Sequence, residues 1–169
     1  MSAPYHYMHR KLEKVLKAFL AQNCPTGVTV YTFLQVAGLG QSVKEPLVAI
    51  RCQTSTPSEP GVQLELALAA PSRAIIALIR IRTHAEDITS PKDPLTIIEE
   101  YADYHADLVG KVVDSFYQTG IVAKLNAIAQ TEGVNINIEQ IEQPDMADNP
   151  EDRSGVTDIT FLIHCNPTA

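Results

Sequence analysis

Apolar residues at Met8, Leu12, Val15, Leu16, Phe19 and Leu20 recur at the spacing that lines one side of a helix. With Ser2 and Pro4 as the opening signal, they predict a first helix running to about Asn23. Arg10, Lys14 and Lys17 fall on its opposite face. The run Cys24-Pro25-Thr26-Gly27 ends it, because proline cannot continue a helix and glycine permits the turn.

The period then shortens. Residues 28–34 and 47–53 read as strands, joined by a loop around Gly38 and Gly40. Residues 54–61, with Pro57 and Pro60, read as an irregular loop; 62–69 alternate weakly, as a strand or a helix. The clearest strand is 74–83. Its first half is apolar on both faces, which places it centrally in a sheet. Its second half sets Arg80, Arg82 and His84 on one face against Ile79 and Ile81 on the other.

Asp93-Pro94, closing the run from Ser90, is a helix start with aspartate as the cap and proline at the first helical position. The helix runs to about Gln118, with Ile97, Ile98, Tyr101, Leu108, Val112 and Phe116 inward and Glu99, Glu100, Asp103, Asp107 and Asp114 outward. Gly120 breaks it, and 121–131 form a shorter helix ended by Gly133. Residues 134–141 and 156–165 alternate as half-buried strands, the second with Ile159, Phe161 and Ile163 inward. Between them, 143–155 is a long polar, acidic stretch, either disordered or a contact arm. The expected architecture is one α+β domain over 1–169, with an N-terminal helix and a long central helix. Both pack on a mostly antiparallel or mixed sheet of about five to six strands.

Charge adds a direction to this outline. Residues 1–85 hold nine Lys or Arg against four acids, and 86–169 hold four against sixteen, giving a net charge of −7. Such a chain suits head-to-tail association of copies, or folds into one dipolar monomer. The acidic balance argues against nucleic acid as the main partner. No apolar run reaches the length of a membrane span, and the N-terminus lacks the basic and apolar stretches of a signal peptide. Cys24, Cys52 and Cys165 are far apart, as expected of packing residues in a reduced compartment.

Candidate chemistry is sparse. The chain holds no phosphate-binding glycine loop, nucleophile elbow or paired-cysteine motif. Glu100, Asp103 and Asp107 sit at helical spacing where they could touch one cation, but read better as a solvated face, with His105 directed to the apolar stripe. His84, Glu86 and Asp87 could supply an acid and a base at a strand exit. His164 and Cys165 alternate to opposite faces, which disfavours a Cys–His pair. No catalytic, cofactor-binding or metal residues are assigned.

The run Ile79-Arg80-Ile81-Arg82-Thr83-His84-Ala85-Glu86-Asp87, leading into the long helix, resembles a segment of the tail-completion proteins of tailed bacteriophages. Those proteins are similar in plan, from the N-terminal helix to a closing strand like 156–163 after a polar loop. The likeness covers most of the chain in order of elements, and is near-literal only at 82–87. It implies a virion protein made in the host cytoplasm, a tail terminator forming a ring, commonly six-fold, on the last layer of the tail tube. Its partners would be further copies of itself, the tail tube protein and the head-side connector or stopper, with the tail sheath a further candidate. DNA would pass the lumen without specific binding, and no membrane or cofactor is involved. The family has no catalytic residues to carry over. In such a ring Arg80, Arg82 or the face of Arg10, Lys14 and Lys17 would meet acids of the next subunit. Asp145, Asp148, Glu151 and Asp152 are the candidate arm. A minor tail or head-completion protein, and a small cytosolic enzyme or ligand-binding domain around His84 and His105, are the alternatives.

Overall fold

A computed structural model of the chain describes residues 5–53, 73–83, 93–149 and 155–168. Helix α1 (Tyr5–Asn23) leads into strand β1 (Thr29–Thr32), helix α2 (Phe33–Leu39) and a single 3-10 turn, Gly40–Ser42. Strands β2 (Leu47–Gln53) and β3 (Arg73–Arg82) follow, then helices α3 (Pro94–Phe116) and α4 (Ile121–Thr131). Strands β4 (Ile136–Ile141), β5 (Asp145–Asn149) and β6 (Val156–Pro167) complete the described elements. The result is an α+β fold with a mixed sheet.

Sheet order is β1-β2-β3-β6-β4, with β5 also paired to β6. β1 runs parallel to β2, and every other pairing is antiparallel. β3 is central, as its two-sided apolar half predicts. It pairs with β6 along its whole length, from Arg73↔Cys165 to Arg82↔Val156. β4 and β5 lie end to end along the other edge of β6, joined by the Glu142 N–H donating to the Leu162 carbonyl at 2.9 Å.

One face of the sheet meets the helices. Val48, Ile50 and Cys52, Ile75, Ala77, Ile79 and Ile81, and Ile159, Phe161 and Ile163 are all buried there. Opposite them pack Leu12, Leu16 and Phe19 of α1, Leu108, Val112 and Phe116 of α3, and Leu125 of α4. Phe116 joins the layers, its ring centroid 5.1 Å from Phe19 and 4.4 Å from Phe161. Burying a side chain of this size contributes about 1.5–3 kcal/mol.

Local signals account for the element ends. Asp93 caps α3 by accepting the Leu95 N–H at 3.2 Å, with Pro94 at the first helical position. Gly120 begins α4 in the left-handed region, at φ 73°, which a side chain would disfavour.

Four expectations are corrected. The strand expected over 28–34 stops at Thr32, whose hydroxyl accepts the Gln35 N–H while the Gln35 side chain returns to the Thr32 N–H. That capping box starts α2, so the expected loop around Gly38 and Gly40 is mostly helix and 3-10 turn. The inward stripe of α3 begins at Tyr101: Ile98 is exposed and Ile97 half-buried, so the first turns of α3 bury little of their apolar surface. Within 143–155, residues Asp145–Asn149 are a strand, held by backbone pairing to the free edge of β6 despite polar side chains. The possible strand at 62–69 lies outside the described residues.

β1 follows β2 only as far as Thr32↔Ile50. Beyond that point the Cys52 N–H donates to the Glu13 carboxylate at 3.0 Å, and Glu13 also accepts from Arg10 at 3.2 Å. Glu13 is only 6% exposed, so this carboxylate caps a part of the β2 edge that no strand among the described residues covers. Glu13→Leu should lower stability in urea unfolding by about 1–3 kcal/mol, because it strands a buried donor. Glu13→Gln, which keeps an acceptor, should cost less.

Candidate functional site

The charged residues expected at a subunit contact fall on three surfaces. Arg10 and Lys14 are exposed on α1, Arg10 paired with Glu13, and Lys17 donates to Gln35 at 2.9 Å. Arg80 lies on the sheet face away from the helices and binds Asp158 through two hydrogen bonds of 2.7 Å. These bonds push its pKa up, against a smaller opposing push from partial burial. The Phe33 ring of α2 stacks on the same guanidinium, 5.4 Å from its centroid. Arg82 pairs with Glu45. Both arginines therefore have partners within the chain, supplied by residues that sequence reasoning did not select. Asp145 is exposed on β5 opposite Thr160, and Asp148 occupies the β5 position opposite Thr157. Glu151 and Asp152, like His84, Glu86 and Asp87, lie outside the described residues.

The structure also brings together a polar cluster that the sequence does not announce. At the shared end of β3 and β6 the Thr83 N–H donates to the Gly155 carbonyl at 3.0 Å, extending the ladder by one rung. Tyr101 of α3 inserts its hydroxyl there, donating to the Thr83 carbonyl and accepting the Gly155 N–H. Its oxygen also lies 3.2 Å from the Thr83 hydroxyl. One turn on, His105 sets Nδ1 2.8 Å from Thr83 Oγ1 and Nε2 2.8 Å from Thr157 Oγ1. A neutral ring protonated on Nδ1 completes a continuous donor chain from Thr157 through His105 and Thr83 to Tyr101. His105 therefore lies on the inward stripe of α3 as expected, between Tyr101 and Leu108, and meets two buried hydroxyls there. Alternation does place Thr157 on the inward face, but nothing in the pattern pairs it with a histidine on α3.

A histidine against two hydroxyls is the raw material of nucleophile activation. Here Thr83 and Thr157 are buried, so the arrangement ties strand ends to a helix and presents no nucleophile to solvent. Gly155 belongs to it by shape. A Cβ at that position would lie 2.7 Å from His105 Cγ and 3.0 Å from Thr83 Oγ1, inside contact distance.

Other candidate chemistry is dispersed. Asp107 pairs with Lys111 at 2.5 Å, and no three His, Cys, Asp or Glu side chains converge as a ligand set among the described residues. His164 turns to Glu142 at 2.8 Å while Cys165 is buried on the other face. Burial pushes the Cys24 thiol up to about 11 and Cys165 to about 12, the latter with help from Glu139, and raises Cys52 well above its usual value.

Gly155→Ala should push His105 aside and lower stability by about 1–3 kcal/mol in urea unfolding, the usual cost of overpacking. Adding His105→Ser to that variant should cost less than the two changes summed, because the second removes the clash. For the thiols, folded pKa values above the unfolded one mean stability is complete below about pH 9 and declines as pH climbs towards 12. Alkylation of native protein at pH 8 should be slow at Cys24 and undetectable at the two buried thiols, with all three labelled after unfolding. A scan against protein-family models finds no match to this chain, and a search of curated proteins finds none either.

Proposed function

We propose that this chain is a structural subunit of a tailed phage, a tail terminator that assembles head to tail into a ring on the end of the tail tube. There it stops tube growth and offers a surface to the neck. The observation that carries this reading is the unlike charge on the two sides of the molecule. On the sheet face away from the helices Arg51 makes no ion pair among the described residues, Arg80 and Arg82 being paired with Asp158 and Glu45, while on the outer side of α3 Glu99 and Asp103 likewise make none. Unlike surfaces on opposite sides favour heterologous contacts, which close into rings when the rotation between copies permits. The likeness of 79–87 to tail-completion proteins and the matching order of helices and strands support the same reading.

The in-chain pairs refine which residues should respond. Reversing Arg80 or Arg82 would break a pairing within the subunit before it touched a neighbour. Arg51 is exposed and makes no ion pair among the described residues, so its charge is available to another copy. Sedimentation of the purified protein at low salt, with negative-stain images, should show a closed ring that weakens as salt screens its contacts. Arg51→Glu should shift that equilibrium towards monomer without changing the urea midpoint. A wild-type monomer at every salt and protein concentration would favour the small ligand-binding domain instead.

A further inference from the structure

We infer that the first turns of α3 dock on the open sheet face of a neighbouring copy, laid across β2, β3 and β6. This rests on the ring reading above and names the surfaces that would close it. Among the described residues, two exposed apolar groups bear on this contact. On α3, Leu95 is 71% exposed and Ile98 62%, a turn apart on the helix. Burial in the same helix begins only at Tyr101. On the sheet, Ile76 is 40% exposed, directly opposite half-buried Leu162, with half-buried Leu78 two residues along. Phe33 of α2 covers the other end of that face, over Arg80.

The patches cannot satisfy each other within one molecule. α3 packs on the helical side of the sheet, through Tyr101 and His105 to Thr83 and Thr157, while Ile76, Leu78 and Leu162 face the opposite side. The sheet itself stands between them. Their meeting requires a second copy, and each copy then still offers the patch it has not used, so the contact propagates.

Charge and size fit as well. Glu99 and Asp103, four residues apart beside Leu95 and Ile98, make no ion pair among the described residues. Arg51 stands beside the sheet patch, opposite Leu78 in the β2–β3 register. Ile76 and Leu78 of β3 and Leu162 of β6 form the apolar strip, flanked on β2 by Arg51 and Gln53, and three strands at ~4.8 Å spacing span about 10 Å, the diameter of one helix with its side chains. An acidic apolar helix therefore finds, on the far side of its own fold, an apolar strip with an arginine at its margin.

The test mixes two single-site variants, Ile98→Cys and Ile76→Cys, oxidises them mildly and reads the products on non-reducing gels and by peptide mass. Wild type is the blank for half-exposed Cys24 and the two buried thiols. The expected product is a mixed dimer joining position 98 of one chain to position 76 of another, with little of either homodimer. The chain carrying both changes should give a ladder of dimers, trimers and larger species. Leu95→Asp, at an exposed helix position, should weaken association about tenfold or more with an unchanged unfolding curve. A particle of full ring mass without the mixed cross-link, or with homodimers as abundant, overturns the docking and leaves the ring. Monomers in every salt overturn both.

Discussion

The pairing of β3 with β6 is the constraint on which the remaining structure depends. It joins a strand from the middle of the chain to the last one described, rung by rung from Arg73↔Cys165 to Arg82↔Val156. β2 and β1 extend the sheet from one side of this pair, and β4 and β5 from the other. The helical layer rests on the inward side chains of the same two strands, with Phe116 bridging Phe19 and Phe161. On the far side the pair is fastened by Arg80 and Asp158, directly opposite each other in the register. An exposed pair of this kind contributes little, about 1 kcal/mol or less, but its two-bond geometry rejects a slipped register.

Strand ends and edges are where a sheet leaves polar groups unpaired, and this fold treats each with a side chain from a helix. Glu13 accepts the Cys52 N–H where β1 falls short of β2. Tyr101 and His105 close the end of the β3–β6 ladder against Gly155, Thr83 and Thr157. Both devices come from helices on the core side; on the far face Leu47 and Ala49 are buried at one end, near Phe33, while Arg51 and Ile76 are exposed at the other.

Legibility in the sequence followed the range of the interaction. α1, β2, α3 and α4 were readable because each carries its own periodic stripe and its own punctuation, such as Asp93-Pro94 or Gly120. β5 was not: Asp-Met-Ala-Asp-Asn has no strand pattern and is a strand only because β6 offers backbone partners. The end of β1 was missed for the reverse reason, since a local capping box at Thr32 overrode a favourable strand composition. Arg80 and Arg82 could be placed on one face from alternation, but Asp158 and Glu45 are joined to them only by the folded sheet. His105 drew notice for its neighbours in sequence, Asp103 and Asp107, whereas its hydrogen-bond partners lie far away along the chain.

The position of β6 in the chain has a consequence for synthesis. At about 5–20 residues per second, several seconds separate the emergence of β3 from that of its central partner. During that interval Ile75, Ala77, Ile79 and Ile81 lack the strand that completes their side of the core, and β3 keeps an open edge that can template pairing with another chain. Leu162 and Asp158 arrive on β6, so the far face of the sheet stays incomplete until the last described strand emerges.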